Sequence, residues 1–504
     1  MRLLFCCEYY YPSRGGVQEV MRQIAERMVA WGHEVTVATT RLPERQSLVI
    51  NGVRIEEFGV SGNLVRGLEG VGEIARYQEF LTTFAADAIM IKAAQQWTFD
   101  ASWPVLDRIR ARKVFIPCGF SGLYLPEYAK YFRDLPDILR KWDHLIFYAE
   151  RYRDIDFARE HGLTSFTVLP NGASDVEFSV PRDPGFRSRM GIAEDALLLL
   201  TIGTPINAKG HTELATAFAQ LESGKLSLAL MLNGQWPTAP PPQAEATSAD
   251  LPGRSPELRS IGALARYASR ALSFWSEHGA SAFAERAIRA IYLRSMGLVR
   301  RILSLFARPV LILHRLLRRI FDSINDRNPI PPLAAPVKTI DDWIAEASAQ
   351  PGKQVLKTNL PREEVIQSFF AADLFVFASN IEYSPLVLFE AAAAGLPYLT
   401  VPVGNAEEIV RWTGGGQLCS AAKDAHGFTR VDPDVLAVEI TKMLDDAELR
   451  RCLGAAGREA WRTTFNWAAI ARRYETILKG QHCDLPAVSE FQATKHLQTD
   501  REKS

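Results

Sequence analysis

The strongest constraint on this chain is an alternation of short apolar runs with longer amphipathic stretches, which begins at the amino terminus, breaks off and starts again. Residues 3–7 read as a buried strand and 12–16 as a tight turn. Residues 17–31 then form an amphipathic helix closed by Gly32, ahead of a strand at 34–39. Strand, helix, strand is a βαβ unit, and repeated units of this kind predict a parallel sheet. Further apolar runs at 88–91, 114–116, 145–148 and 167–169 continue the series to an Asn171-Gly172 turn. Pro181, Asp183, Pro184 and Gly185 read as a hinge, after which residues 197–202 open a second series. With 504 residues the chain is too long for one hydrophobic core, and the restart predicts two α/β domains.

The second series is itself interrupted. A strand ends at Gly203, Lys209-Gly210 turns into a helix reaching Leu221, and residues 227–232 supply the next strand. Residues 236–260 are then rich in Pro, Ser, Ala and Glu, a composition unsuited to a packed element. An arginine-rich amphipathic segment and a second proline-rich stretch at 328–336 follow. The pattern resumes with a strand at 355–358, a helix at 362–371 and a strand at 374–378. The expected organisation is a first Rossmann-like domain at 1–182 and a second built from 183–235 and 351–465. A partly helical insertion occupies 236–350, a carboxyl-terminal helix at 466–480 is placed to cross back to the first domain, and a polar tail covers 481–504.

Charge argues only locally. Lys plus Arg and Asp plus Glu each number 58, which removes a global electrostatic case for a nucleic-acid partner. The six cysteines have no regular metal-ligand or disulfide spacing, which favours a reducing compartment. The run at 3–7, followed by Glu8, is too short and too polar for a signal peptide, and a cytoplasmic location is expected.

Two places carry chemistry. Arg14, Gly15 and Gly16 fall at the carboxyl end of a central strand, where parallel sheets bind mononucleotides or sugars; the alternative is a glycine turn without a ligand. The sharper signal is the segment 382–390, Glu-Tyr-Ser-Pro-Leu-Val-Leu-Phe-Glu. Ser384 is expected to cap a helix whose first residue is Pro385, with Gly395 ending it. That leaves Glu382 in the preceding loop and Glu390 inside an apolar helix, where an ionised carboxylate needs a partner, either a ligand or an arginine. Free amides at the helix start suit a phosphate.

On these residues the chain resembles the retaining glycosyltransferases of family 4, which use the two-domain GT-B fold. The resemblance rests on the spacing of Glu382 and Glu390, on Gly15-Gly16, on 32–35 (Gly-His-Glu-Val) and on 170–172 (Pro-Asn-Gly). It extends to Gly203 with Lys209-Gly210 and to 404–408 (Gly-Asn-Ala-Glu-Glu). It implies that Glu390 holds the ribose of a UDP- or GDP-sugar donor and that Glu382 lies beside the transferred sugar. Lys209 would grip the diphosphate and stabilise the leaving group, Gly15 and Gly16 would admit the diphosphate, and Ser384, Leu386 and Val387 would line it, the last two through backbone amides. No cofactor or metal is implied. The acceptor would be a glycan or a lipid-linked sugar of bacterial surface polysaccharide or glycolipid assembly. Alternatives are a non-catalytic membrane-associated assembly protein on the same fold and a sugar-nucleotide epimerase. Two departures stand out. Thr204 occupies a position where the family often has arginine, and Lys92 one where it often has histidine; Lys92 either compensates that loss or is a solvated lysine. Asp154-Ile155-Asp156 looks like a metal-binding pair, but its charged surroundings predict a solvated helix face.

The insertion makes its own claim. Residues 283–321 contain Arg286, Arg289, Arg294, Arg300, Arg301, Arg308, Arg315, Arg318 and Arg319, against Glu285 alone as an acidic residue. On a helical projection they fall within about 140° of arc, with apolar residues broadly opposite and Pro309 dividing the segment. Such a face is expected to lie on an anionic membrane, at the inner surface of the cell membrane, rather than on nucleic acid; docking on protein is the competing reading.

Overall fold

The computed structural model describes residues 1–222, 227–236, 338–424 and 427–481. Two parallel sheets dominate. In the first, β1 (Arg2–Cys6) is central. β2 (Glu34–Thr40) lies on one side of it, followed by β4 (Val53–Phe58) and the antiparallel edge strand β3 (Val49–Ile50). On the other side run β7 (Ala88–Lys92), β8 (Arg112–Ile116), β9 (His144–Phe147) and β10 (Phe166–Val168). A small hairpin of β5 (Ser61–Asn63) and β6 (Gly67–Glu69) stands apart from this sheet. The second sheet has six parallel strands, ordered β13 (Lys353–Thr358), β12 (Leu228–Asn233), β11 (Leu197–Ile202), β14 (Leu374–Phe377), β15 (Tyr398–Thr400) and β16 (Gly416–Leu418). Both are Rossmann-like α/β domains. Their inner strands are buried on both faces, which is why 88–91 and 197–200 are continuous apolar runs rather than alternating ones.

Strands and helices fall close to the sequence expectations, while the segment between Arg41 and Glu69 adds the edge strands and hairpin that periodicity did not anticipate. From Lys338 onward the chain belongs to the compact unit that holds both sheets, ahead of the expected boundary at 351. The helix Ile340–Ser348 begins with a capping box on Thr339 and packs against the helix His211–Gln220 of the second domain. The rest of the insertion, including 283–321, lies outside the described residues. No described helix is long and apolar enough to cross a membrane.

The helix Trp467–Leu478, capped by Asn466, joins the first domain's core through Trp467, Ile470, Tyr474, Ile477 and Leu478, packing with Val20, Ile24 and Met28 of the helix Gly16–Ala30. The same cluster takes in Tyr383 and Leu386 from the second domain. One apolar body therefore grips both parts of the chain beside the cleft.

Candidate functional site

Carboxyl ends of the central strands of both sheets meet at this cleft. On the first-domain side, β1 leads into Gly15 and Gly16 at the start of the helix Gly16–Ala30. Gly16 lies against Leu386: a Cβ there would stand 3.9 Å from the leucine side chain. Leu386 is the first residue of the helix Leu386–Ala394, so two helix amino termini approach one another. Their first-turn N–H groups have no carbonyl within their own helix, and both dipoles are positive here, which makes the gap attractive to an anion.

The expected cap is corrected. Pro385, not Ser384, is the N-cap of this helix, and no side chain caps it. Pro385 has φ of −69° and an extended ψ of 115°, so the helix starts one residue later, and the buried Ser384 hydroxyl has no hydrogen-bond partner among the described residues. Its backbone carbonyl instead accepts from the Asn171 amide at 3.2 Å. Ser384, Leu386 and Val387 thus form a short stretch at the helix start, the last two at its first positions.

Lys209 follows β11, and its amine pairs with the Glu382 carboxylate, which also accepts from the Ser379 hydroxyl at 3.1 Å. Gly210 permits this approach: it has φ of 67°, and a Cβ would fall 1.8 Å from the Ala378 carbonyl oxygen. His211, buried beside this lysine, is pushed down to about 4 by burial and by the Lys209 charge, so it is neutral at physiological pH. Thr204 adds no cation in this corner.

Glu390 is 8% exposed and pairs with Arg362, which sits at the start of the helix Arg362–Ala371 beyond the carboxyl end of β13. Burial raises the Glu390 carboxyl above its ordinary value against the opposing field of Arg362. Arg362 also donates to Glu177 at 2.7 Å, and Glu177 stands 3.9 Å from Arg22 of the first domain. Sequence reasoning missed Arg362. Its only signal was position, just past a strand end on the same edge as Lys209.

The facing wall of the first domain was less foreseeable. Tyr383 reaches into it: its hydroxyl donates to Asp154 and accepts from the Tyr148 amide at 3.1 Å, while its ring lies 4.7 Å from Tyr152 and 5.6 Å from Tyr148. Asp154 is therefore not on a solvated face. It is wholly buried, pushed up to about 6 by burial, and accepts from the amides of Gly119 and Ile155, whereas Asp156 is exposed as expected. Lys92 is buried too, 4.9 Å from the Tyr148 ring, and burial pushes it down to about 8, which excludes the solvated reading. Ala93, Gln95, Cys118 and Phe120, just past β7 and β8, all have positive φ without being glycine, a concentration of strain typical of functional loops.

A second interlock ties the domains together. Glu408, in the first turn of the helix Ala406–Thr413, accepts from the amides of Glu150 and Arg151, both at 2.8 Å, and Asn405 donates to the Tyr148 carbonyl at 2.8 Å. Burial pushes Glu408 up to about 7 despite those two donors. Gly404, with φ of 57°, is needed because a Cβ would lie 2.3 Å from the Tyr383 carbonyl oxygen. Among the described residues no group of three or more His, Cys, Asp or Glu is placed to hold a metal ion.

Comparison with known proteins follows the same division. Residues 15–146 match the model of the glycosyl transferase 4-like domain, and residues 337–460 that of the glycosyl transferases group 1, together about half of the chain. The N-acetyl-alpha-D-glucosaminyl L-malate synthase of Bacillus anthracis is 30% identical over 116 residues, 23% of this chain and 28% of that protein. A D-inositol 3-phosphate glycosyltransferase of Thermobispora bispora is 33% identical over 136 residues, 26% and 29% of the two chains. These alignments span less than a third of the curated relatives' length. In fold, the sucrose-phosphate synthase of Thermosynechococcus elongatus superposes with a TM-score of 0.58 at 18% identity, over 95% of this chain and 98% of that one. Anabaena Alr3699/HepE, solved with UDP and glucose, gives 0.57 at 14% identity, over 95% and 100%.

Proposed function

We propose that this chain, which has the GT-B fold and is related to the glycosyltransferases of group 1 and the 4-like type, transfers a sugar from a nucleotide-sugar donor to an acceptor hydroxyl. The observation that carries the reading is the convergence of two helix amino termini, at Gly16 and Leu386, with the loops bearing Lys209 and Glu382 in one cleft. In this mechanism the diphosphate lies between the helix starts, contacted by Gly15, Gly16, Ser384 and the amides of Leu386 and Val387. The Lys209 amine leaves Glu382 to neutralise the departing diphosphate, a task for which a fixed cation in a cleft is well suited. Glu382 is then free beside the transferred sugar, and Glu390 accepts from the two ribose hydroxyls. No residue of the cleft is assigned as a covalent nucleophile, in keeping with a retaining transfer in which the leaving phosphate takes the acceptor proton.

UDP- and GDP-sugars both fit these groups. The glycan or lipid-linked acceptor is supported by the basic amphipathic segment 283–321, read as a contact with anionic lipid that would keep the enzyme peripheral on the inner face of the cell membrane. A panel of nucleotide sugars, screened by thermal stabilisation and then for turnover, tests the reading. At least one should stabilise the protein and be consumed, and no binding by any member would refute it. Liposome sedimentation of the full chain against a chain lacking 283–321 tests the membrane contact, with equal retention on anionic vesicles as the contradicting result.

A further inference from the structure

Arg153 is a cation left over at the sugar end of the cleft. It is the first residue of the helix Arg153–Glu160, just beyond the carboxyl end of β9. Of its five N–H donors one is engaged, from Nη2 to the Tyr152 hydroxyl at 3.1 Å; the Nε donor is buried without a partner among the described residues. The guanidinium also rests over the Tyr152 ring at 5.2 Å. No described carboxylate pairs with it, although acidic residues surround it. Each of those is committed elsewhere: Asp154 to the buried amides and Tyr383, Asp156 to Arg159, Glu150 to Arg411, Glu408 to two backbone amides, and Glu382 to Lys209.

Its place is defined by the next hydrogen bond. The Tyr152 hydroxyl donates to the Glu382 carbonyl at 3.0 Å, and the phenol lies in the field of both the Arg153 guanidinium and the Glu382 carboxylate. Tyr152 is held by Tyr383, and Tyr383 by Tyr148, so the arginine ends a rigid aromatic stack rather than a loose surface loop. The two helix starts and Lys209 already face the diphosphate, whereas Arg153 approaches Glu382 from the opposite domain.

We propose that Arg153 recognises a carboxylate or phosphate on the acceptor, so that the accepting molecule is anionic. This rests on the reading of Glu382 and Lys209 as the transfer end of the site. A guanidinium presents a planar fork of donors that fits either group through paired hydrogen bonds, and one whose Nε is already buried has less water to lose on binding.

The test uses the full chain loaded with UDP and three probes by calorimetry: glucose, glucose 6-phosphate and glucuronate. The anionic sugars should bind at least about tenfold more tightly than glucose. Glucose 6-phosphate against glucuronate tells phosphate from carboxylate. Arg153→Gln should abolish the preference, Arg153→Lys should restore part of it, and UDP affinity and Tm should stay unchanged in both. Equal binding of neutral and charged sugars, no binding of either anion, a preference retained by Arg153→Gln, or a loss of UDP affinity in that variant would each overturn the assignment. Failure of wild-type protein to bind UDP would instead count against the donor site itself.

Discussion

The two walls of the cleft are built on different principles. The second-domain wall consists of ion pairs carried by loops at strand ends, Lys209 with Glu382 and Arg362 with Glu390. The first-domain wall is an aromatic stack of Tyr148 and Tyr152 around the intruding Tyr383, with Lys92 buried behind and Arg153, which has no carboxylate partner among the described residues, in front. The difference teaches a division of labour. Ion pairs that a ligand can dismantle suit a site that must grip and release a charged donor, whereas packed rings suit a surface that must hold its shape while domains and ligands move.

That contrast can be broken most visibly at Lys209. Its pair with Glu382 is partly exposed, so Lys209→Met should change stability by no more than about 1 kcal/mol. Turnover should nevertheless fall roughly 100- to 1,000-fold, the size expected when a charge-stabilising group is removed. Thermal unfolding and steady-state kinetics on one preparation check both halves. Next comes Glu390→Gln, which weakens a buried pair yet leaves Arg362 its bond to Glu177. We expect a loss of about 1–3 kcal/mol in denaturant unfolding together with at least about tenfold weaker nucleotide binding. Unchanged affinity would assign Glu390 to structure alone.

On the other wall, Tyr383→Phe keeps the ring and removes the hydroxyl that joins Asp154 to the Tyr148 amide. Stability should drop by about 1–2 kcal/mol with nucleotide affinity preserved, the reverse of the Lys209 pattern. The smallest effect concerns pH. Burial raises Glu408 to about 7, so the folded protein holds this proton more tightly than the unfolded chain, and stability declines as pH rises from about 5 through 7. Glu408→Gln should flatten that decline in unfolding measured across the range. A residual slope in the same direction is expected from Asp154, raised to about 6.

The same contrast explains what was legible in the sequence. The βα alternation, the restart at 197 and the segment 382–390 are local patterns, and local patterns report strands, helix starts and loop positions. Ser384 was misplaced by one residue because a serine followed by proline has two compatible registers: the ring fixes φ of Pro385 at a value that serves both a cap and a first helical residue, and only its ψ, 115° here, decides between them. Asp154 was misread, and the two readings of Lys92 stayed undecided, for a different reason: their burial depends on Tyr383 and Tyr148, far away in the chain, and no periodicity around 92 or 154 encodes that contact. Arg362 escaped notice because its partners Glu177 and Glu390 come together only through the fold.

The central claim is that both second-domain ion pairs are exchanged for a nucleotide sugar. A crystal structure of the full chain with UDP tests it most directly. The account predicts the ribose hydroxyls within hydrogen-bond distance of Glu390, the diphosphate between the amides of Leu386 and Val387 and the Gly15-Gly16 turn, and the Lys209 amine turned from Glu382 onto phosphate oxygen. A nucleotide bound elsewhere, with Lys209 still on Glu382 and Glu390 touching only Arg362, would contradict it.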